Sequence, residues 1–250
     1  MCSVVLLIRP EHDWPFILAA NREEMRARPW QPPARHWPDR PNVVAGLDEL
    51  AGGTWLGLND AGVVAAVMNR VGSLGPAADK RSRGELVLEA LDHDAARDAA
   101  EALAELDPAA YRSFNLVIAD RYETFWLRNL GVDGGNIDVE KLPPGVSMLT
   151  AYDLNDPASA RIRNYLPQFQ QARPPDPAAN DWAVWARLLA DRGGGNGDIE
   201  GAMNVATEIG FGTVSSALIA LPSDVRPELN PVWRFAAGAP DRVPFEAVTL

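Results

Sequence analysis

The chain has 250 residues, of which 47% are hydrophobic and 23% are charged, and its net charge is -11. This composition is that of a globular protein with a full core, and the negative charge disfavours nucleic acid as a partner because phosphate backbones repel it. The N-terminal apolar run from Val4 to Ile8 is too short for a membrane span or a signal-peptide core, and a single cysteine excludes an internal disulfide, so we predict a cytoplasmic protein.

The chain begins with a predicted hairpin of two buried strands, Cys2–Ile8 and Phe16–Ala20, joined by a polar turn. Both strands are almost continuously apolar, which indicates that both faces of their sheet are covered. The next segment contains five prolines between Pro29 and Pro41. Because proline cannot donate to a ladder, we predict an extended surface loop there.

Three further strands are predicted before the first helix: Asn42–Ala45, Thr54–Asn59 and Val63–Asn69. A tight turn over residues 60–62 joins the last two. Gly52 and Gly53 precede the middle strand, where glycine permits an unusual backbone angle or a close approach.

Two amphipathic helices follow, from Arg83 to Leu91 and from about Ala95 to Leu106. Ser82 is predicted to cap the first helix, with Glu85 as its capping-box partner. The pattern then returns to strands, to a second helix pair and to two final strands. The strands are predicted at Phe114–Ala119, Glu123–Arg128, Ile137–Leu142, Val146–Ala151, Thr213–Leu221 and Pro231–Ala237. The two helices between them are predicted at about Ala158–Gln171 and at Trp182–Asp191.

The alternation of strand runs with helix pairs predicts an α+β fold of stacked sheets with helices outside. The glycine-rich segment at 193–197 is predicted to be a loop. Prolines near residue 175 favour another loop over a domain boundary, because the last 75 or so residues hold too few strands for a separate core. We therefore predict a single domain over residues 1–250.

Motifs for metal and phosphate binding are missing from the sequence: there is no HExxH, no paired CxxC and no P-loop. His12, His36 and His93 are scattered and are most simply surface or turn residues. We therefore predict no metal site. The missing GxSxG pattern also disfavours a serine hydrolase.

The single cysteine is Cys2, directly behind the initiator methionine. If Met1 is removed, one residue carries both a thiol and a free α-amine, whose pKa of about 8 lets it accept the thiol proton. The resulting thiolate is a nucleophile that requires no histidine. The alternative is an ordinary buried cysteine at the start of a strand.

Polar residues at the end of the second strand bear on this choice. Asn21 and Arg22 follow the apolar run, and Glu23 and Glu24 come next. In a hairpin, the end of the second strand lies beside the start of the first. Glu23 or Glu24 would then lie near the Cys2 amine and hold it. The alternative is a solvated turn with a capping acid.

The segments Met-Cys, AANREE, AGGTWLG, SRGEL, FNL and GTVSS together resemble the NRDE family, whose eukaryotic members are called transport and Golgi organisation proteins. The resemblance extends from Met1 to about Ser216. That family is similar to N-terminal nucleophile hydrolases, which implies a four-layer αββα sandwich. Penicillin V acylases and bile salt hydrolases are similar in pattern and share the Gly-Leu-Asn-x-x-Gly turn found here at 57–62.

The resemblance implies a role for each matching residue. Cys2 would be the nucleophile and its own base, and Glu23 would hold the α-amine. Asn21 and Arg22 would fix the turn or meet a substrate carboxylate, while Asn69 would contribute to an oxyanion hole. Substrate contacts are predicted for four residues in or beside the same motifs: Glu24, Trp55, Arg70 and Tyr152.

Three positions depart from the family pattern. Glu23 stands where the family has aspartate, and Val214 stands where it has arginine. Ala151 replaces an asparagine that could serve the oxyanion, and Asn155 is a nearby candidate to take its place. These departures weaken the case for amide hydrolysis.

Two functions therefore stay open. The first is a cysteine amidohydrolase or acyltransferase, in which Cys2 attacks an amide or thioester of a small acylated molecule to form an acyl-enzyme. The second, implied by the resemblance, is a non-catalytic carrier or chaperone for haem or for an acyl-CoA or lipid. A purely partner-binding use of the fold is a third possibility. The enzyme needs no cofactor, and the sequence leaves the oligomeric state open.

Overall fold

A computed structural model describes residues 2–132, 135–193 and 200–250. Met1 and residues 194–197 of the predicted glycine loop lie outside these ranges. The chain divides into two compact units, Met1–Arg28 with Pro144–Thr249 and Pro29–Pro143 with Leu250. Neither boundary falls at the prolines near residue 175. The single-domain assignment stays a prediction.

The described elements follow the predicted order of strands, helix pair, strands, helix pair and strands. The strands are β1 (Ser3–Ile8), β2 (Phe16–Met25), β3 (Trp30–Ala34), β4 (Val43–Asp48), β5 (Leu56–Asn59), β6 (Val64–Asn69), β7 (Phe114–Ala119), β8 (Thr124–Asn129), β9 (Ile137–Lys141), β10 (Gly145–Leu149), β11 (Phe211–Leu221), β12 (Val232–Ala236) and β13 (Glu246–Ala247). The helices are α1 (Gly84–Leu91), α2 (Ala96–Ala104), α3 (Ala160–Gln171) and α4 (Ala183–Ala190), with one 3₁₀ turn at Pro108–Ala110.

The first unit is a six-stranded antiparallel sheet with the strand order β10-β1-β2-β11-β12-β13. The predicted N-terminal hairpin is confirmed, since β1 pairs with β2 from Ser3 opposite Asn21 to Ile8 opposite Phe16. Helices α3 and α4 cover one face of this sheet. Alternate residues of β1 and β2 pack against them in one apolar core: Val5, Leu7, Ile17, Ala19, Ile162, Tyr165, Phe169, Trp185 and Leu189.

The second unit is a seven-stranded antiparallel sheet with the strand order β3-β4-β5-β6-β7-β8-β9. Helices α1 and α2 cover one face of it. Their apolar stripes share a core with every second residue of the central strands: Leu86, Leu91, Ala99, Leu103, Ala65, Leu116 and Ile118. Each unit is therefore one helix layer on one sheet layer, which agrees with the predicted α+β class.

Polar side chains of the second sheet hold the ends of its helices. Asn59 donates its side-chain amide to the carbonyls of Leu91 (2.9 Å) and His93 (2.7 Å), at the C-terminal end of α1. Asp120 accepts from the backbone N–H of Ala96 at 2.9 Å, at the first turn of α2. The side chains of Asn59 and Asp120 thus make hydrogen bonds with backbone groups that have no partner within their own helix. The asparagine of the Gly-Leu-Asn-x-x-Gly motif has a structural role here.

Two glycine motifs meet in the second unit. The backbone N–H of Thr54 donates to the carbonyl of Gly84 at 3.2 Å, and a Cβ on Gly53 would lie 2.6 Å from the Gly84 carbonyl carbon. Gly52 has a φ of +70°, which favours glycine. The expected close approach and unusual backbone angle are therefore both confirmed, at adjacent residues. The segments AGGTWLG and SRGEL pack against each other through their backbones.

The proline-rich segment is only partly a loop, so the prediction for it was wrong over residues 30–34. Those residues form β3, the edge strand that pairs with β4. The pairing register shifts between Gln31 and Ala34, where Pro32 and Pro33 lie. Proline is tolerated there because an edge strand has no neighbour on one side, and because the register shift interrupts the hydrogen bonds to β4 on the other side.

The predicted capping box at α1 does not form. The helix starts at Gly84 after Arg83, and the Ser82 hydroxyl accepts from the backbone N–H of Gly84 at 3.2 Å. The Glu85 carboxylate accepts from Arg81 Nε at 2.9 Å instead of returning to the backbone. A nearby arginine offers a charge-assisted hydrogen bond, which is stronger than a bond to a neutral N–H.

An ion pair ties down the C-terminal part of the first unit. Arg192 donates from Nε to Asp241 Oδ2 (2.6 Å) and from Nη2 to Oδ1 (2.9 Å), and Asn204 Nδ2 donates to Oδ1 (2.7 Å). Hydrogen bonding from Arg192, supported by Asn204, lowers the pKa of Asp241 to about 2. The carboxylate therefore links two points of the chain that lie on either side of residues 194–199.

We expect Gly53→Ala to lower the free energy of unfolding by about 1–3 kcal/mol, because the added Cβ forces two backbone segments apart. Gly84→Ala is the matched comparison. Its Cβ would lie 3.0 Å from the Thr54 backbone, and alanine favours the helix that begins there, so its cost should be smaller. Urea denaturation of both variants measures the difference. Equal stability of Gly53→Ala and the parent would contradict a tight contact.

We expect Asp241→Asn to lower the melting temperature near neutral pH and to have a much smaller effect below about pH 2. Because the folded-state pKa is lower than the unfolded value, the carboxylate stabilises the fold at pH values above the unfolded pKa, and that contribution is lost as pH falls from about 4 through about 2. Thermal unfolding across that range measures it. Arg192→Gln should show the same pH dependence, and a melting difference that stays undiminished below about pH 2 would contradict the assignment.

Candidate active site

The thiol of Cys2 lies at the start of β1 in the first unit. Cys2 directly precedes Ser3, whose partner in β2 is Asn21, so Cys2 lies at the end of the hairpin near Arg22 and Glu23. The thiol lies within hydrogen-bonding reach of the backbone N–H of Glu23, and the side chain is half-buried. The end of the hairpin therefore brings the Cys2 thiol near Arg22 and near the backbone of Glu23, whereas the predicted contact of Glu23 with the Cys2 amine stays a prediction.

Strand alternation distributes the predicted residues over two faces of this sheet. Asn21 and Glu23 share the face that packs on α3 and α4, as does Ser3 of β1. Arg22 projects from the opposite face. The tetrapeptide Asn-Arg-Glu-Glu is therefore not one cluster, because neighbouring residues of a strand point in opposite directions.

Glu23 forms a buried ion pair with Arg161 of α3. Arg161 Nη1 lies 3.2 Å from Glu23 Oε2 and donates to Ser3 Oγ at 2.5 Å. The two charged side chains are 4% and 0% exposed, and Thr213 of β11 supplies a further hydrogen bond to Glu23. One guanidinium therefore contacts both strands that flank Cys2.

The sequence prediction did not include Arg161, although the sequence contains a signal for it. Arg161, Tyr165 and Phe169 recur every four residues and form the buried side of α3. Ser159 caps this helix by accepting from the N–H of Ile162 at 3.4 Å. A charged residue in the apolar stripe of a helix needs a buried partner, which indicates an ion pair before the structure is known.

Burial raises the pKa of the Cys2 thiol, and the negative charge of Glu23 raises it further. The Glu23 N–H and the Arg22 charge act in the opposite direction but are weaker. Burial also raises the pKa of Glu23, against which the Arg161 charge and hydrogen bond act. The thiol is therefore mostly protonated near neutral pH, and a base must take its proton before it can attack a carbonyl.

Asn21 uses its whole side chain to hold other segments. Its Nδ2 donates to the carbonyls of Leu189 and Met203, both at 2.9 Å, and its Oδ1 accepts from Ser216 Oγ at 2.5 Å. The residue is almost fully buried. These contacts fix the end of α4 and the segment before β11 onto β2.

Val214 occupies an irregularity in the pairing of β11 with β2. Thr213 is opposite Glu23 and Ser215 is opposite Arg22, so Val214 is the extra residue between two aligned pairs. An extra residue of this kind bends a strand and re-aims its side chains. The position at which the family pattern has arginine is therefore a bulge next to Glu23.

The remaining predicted residues of the first unit lie further along the chain. Glu24 is partly exposed; its Oε1 accepts from the backbone N–H of Met25 at 2.8 Å, and its Oε2 lies 3.8 Å from Arg28 Nε. Tyr152 is half-buried in the turn after β10. Asn155 has a φ of +56° and bonds Met148 through both its backbone N–H (2.9 Å) and its Oδ1 (2.8 Å), which closes the outer edge of β10.

Asn69, Arg70 and Trp55 lie together at one end of the second sheet. Asn69 ends β6 opposite Phe114, and Arg70 Nη1 donates to Asn115 Oδ1 at 2.6 Å. Trp55 precedes β5, bonds β6 through its carbonyl and makes an edge-to-face contact with Trp30 at 5.7 Å between ring centroids. The roles of these three residues toward an oxyanion or a substrate stay predictions.

Over residues 2–132, 135–193 and 200–250, no group of three or more His, Cys, Asp or Glu side chains is arranged to hold a metal ion. His12 accepts from the backbone N–H of Trp14, and His36 lies 2.8 Å from the Pro32 carbonyl, so both take part in local turns. Within the same ranges, no helix combines the length and the apolar character that crossing a membrane requires.

In sequence, residues 1–175 match a family model described as Transport and Golgi organisation 2. The Transport and Golgi organization protein 2 homolog of Homo sapiens is 34% identical over 129 residues, which cover 48% of this chain and 45% of that protein. The homolog of Bos taurus is 35% identical over 131 residues, with the same coverage of 48% and 45%. The chain spans about half the length of the curated relatives it matches.

In structure, the chain is similar to a penicillin V acylase from Agrobacterium tumefaciens, with a TM-score of 0.51, 15% identity and coverage of 94% of this chain and 83% of that one. A Caenorhabditis elegans ortholog of N-acylethanolamine-hydrolyzing acid amidase has a TM-score of 0.55 at 12% identity, with coverage of 87% and 92%. A variant of conjugated bile acid hydrolase from Clostridium perfringens has a TM-score of 0.54 at 10% identity, with coverage of 100% and 97%. These likenesses confirm the predicted N-terminal-nucleophile-hydrolase fold, and at such identities they show the fold alone.

We expect Asn21→Ala to lower the free energy of unfolding by at least about 1–3 kcal/mol, because it leaves two buried carbonyls and a buried hydroxyl without their partner. Asn230→Ala is the control, an exposed asparagine of the same unit, whose effect should stay within about 0.5 kcal/mol. Urea denaturation compares the two. Similar stability of both variants would show that the Asn21 bonds contribute nothing.

Proposed function

This chain belongs to the Transport and Golgi organisation 2 family, and we propose that it catalyses acyl transfer from an amide or thioester of a small acylated molecule, with Cys2 as N-terminal nucleophile. The observation that carries the proposal is the position of the thiol. It lies at the backbone N–H of Glu23, near Arg22 and next to the buried Glu23–Arg161 pair. The similar solved proteins are, by name, an acylase, an acid amidase and a hydrolase.

The proposed reaction begins once Met1 has been removed. The α-amine of Cys2 takes the thiol proton, the thiolate attacks the carbonyl carbon, and a C–S bond forms. The ammonium returns the proton to the leaving amine or thiol as its bond to the carbonyl breaks. Water, or an acceptor amine, then attacks the thioester with the same α-amine as base. The acyl group departs as an acid or a new amide, and the Cys2 thiol is restored.

The raised pKa of the Cys2 thiol supports a mechanism with a local base. A thiol that stays protonated near neutral pH needs a proton acceptor within contact distance, and an N-terminal amine on the same residue provides one. His12, the histidine nearest to Cys2 in sequence, lies in the turn at the opposite end of the β1–β2 hairpin, where it accepts from the backbone N–H of Trp14. The base is therefore assigned to the amine.

The departures from the family pattern do not remove positive charge from this region. Val214 lacks the arginine of the pattern, but Arg161 brings a guanidinium to Glu23, which is opposite Thr213. Glu23 lies on the helix-facing side of β2, where the ion pair holds its carboxylate. This supports a site that retains a charged environment for catalysis.

No structural observation on the described residues specifically favours the alternative function of a carrier or chaperone. Five of the eight tryptophans are buried in the cores: Trp14, Trp126, Trp182, Trp185 and Trp233. Their burial accounts for them as packing residues without a ligand. Binding of haem, acyl-CoA or lipid stays a prediction of the sequence resemblance.

We expect the protein that lacks Met1 to release acid from one of three probes: penicillin V, an N-acylethanolamine or a conjugated bile acid. Cys2→Ala should lower turnover by at least about 10³-fold, because the nucleophile is lost. Intact mass spectrometry after rapid quenching should show an acyl adduct on the parent and none on Cys2→Ala. Undiminished turnover in Cys2→Ala, or neither turnover nor adduct with all three probes, would contradict the proposal.

Protein that retains Met1 is the control for the base. It keeps the thiol but has no α-amine on Cys2, so its turnover should fall while its fold is unchanged. Intact mass gives the processed fraction in each preparation, and activity should follow that fraction. Equal activity in fully processed and unprocessed protein would assign the base elsewhere.

A further inference from the structure

We infer that Arg161 is a positioning residue for Cys2: it holds the Glu23 carboxylate in its ionised form beside the thiol and ties that carboxylate to the start of β1. Its use in catalysis rests on the proposed function, whereas the charge coupling itself is independent of any turnover. Arg161 lies on α3, far in sequence from the motifs by which the site was predicted.

The contacts of Arg161 link three elements. Its Nη1 lies 3.2 Å from Glu23 Oε2 on β2 and donates to Ser3 Oγ on β1 at 2.5 Å. Ser3 directly follows Cys2, and the Glu23 N–H reaches the Cys2 thiol. A shift of Arg161 would therefore move both sides of the hairpin end at which the thiol lies.

The protonation state of the pair follows from the chemistry of arginine. A guanidinium cannot lose its proton in a protein, so Arg161 is a cation even though its side chain is only 4% exposed. An uncompensated buried charge is costly, and the carboxylate that the structure pairs with it is Glu23. An ionised Glu23 balances the charge, whereas a protonated Glu23 would not.

Charged and titratable groups act on Glu23 from each side. Cys2 lies on the hairpin side, and Arg161 comes from α3 with a positive charge that favours the ionised form. Thr213 of β11 contributes a neutral hydrogen bond. Arg161 is the cation that the structure pairs with Glu23, so its removal should shift Glu23 toward the protonated form.

The single cysteine makes this coupling measurable without a substrate. Iodoacetamide reacts with the thiolate, and an intact-mass adduct on the folded chain reports Cys2 alone. We expect Glu23→Gln to increase the alkylation rate at about pH 7, about tenfold for each unit by which the thiol pKa falls. In the Arg161→Met background the same substitution should change the rate by less than about twofold, because Glu23 is already neutral there.

Arg161→Lys is the conservative control. Lysine retains the positive charge, so Glu23→Gln should again increase the alkylation rate in that background. A merely structural role for Arg161 would lower the melting temperature of both the Met and Lys variants. It would leave the effect of Glu23→Gln equal in all backgrounds. That equality, or no effect of Glu23→Gln in the parent, would overturn the inference.

Arg161→Met alone leaves a buried carboxylate without its cation, and it can fail to fold. The double variant Glu23→Gln/Arg161→Met contains neither charge, and circular dichroism checks its fold. The parent itself supplies a second measurement. With Glu23 ionised throughout, its log alkylation rate should rise linearly from about pH 6 to about pH 7.5. An inflection in that range would show that Glu23 titrates there and would overturn the inference.

The two proposals fail in different ways. Loss of turnover with intact coupling between Arg161, Glu23 and Cys2 would reject the enzyme and keep the positioning role. Turnover that depends on Cys2 without that coupling would keep the enzyme and reject the role of Arg161. All preparations are compared in the same Met1 state, as established by intact mass.

Discussion

A buried ion pair organises the N-terminal site of this protein. The guanidinium of Arg161 cannot lose its proton, so its positive charge needs an anion in the core of the first unit. The structure provides that anion as the carboxylate of Glu23. The same guanidinium bonds Ser3, next to Cys2. The geometry around the thiol therefore depends on where α3 docks on the sheet, and the apolar stripe of α3 fixes that docking through Tyr165 and Phe169.

Side chains alternate between the two faces of a β-strand, so the Asn-Arg-Glu-Glu motif of β2 points some residues toward the helices and others away from them. Asn21 and Glu23 face the helices, where the first fastens distant backbone and the second balances a buried charge. Arg22 faces away from them, and Glu24 is partly exposed beside Arg28. Asn21 and Glu23 of this motif therefore stabilise the structure around the thiol. The charged groups around the Cys2 thiol come only in part from residues that are near it in sequence, because Arg161 is contributed by α3.

Several motifs that mark the family are accounted for by backbone packing and helix capping. A side chain at Gly53 or Gly84 would disturb the close contact between two backbone segments. The side-chain amide of Asn59 donates to two carbonyls at the end of α1. Such residues report the fold, and the solved proteins of similar structure share that fold at identities of 10–15%. Function must be argued from the site itself.

The sequence by itself determined the element order and the N-terminal hairpin, because hydrophobic periodicity and a short turn dictate local pairing. It did not reveal β3, whose prolines are tolerated only because the strand lies at a sheet edge with an irregular register. The ion pair with Arg161 was decided by tertiary structure, since 138 residues separate the partners and only the docking of α3 brings them together. Local patterns set which residues can pair, whereas long-range packing sets which charges share one core.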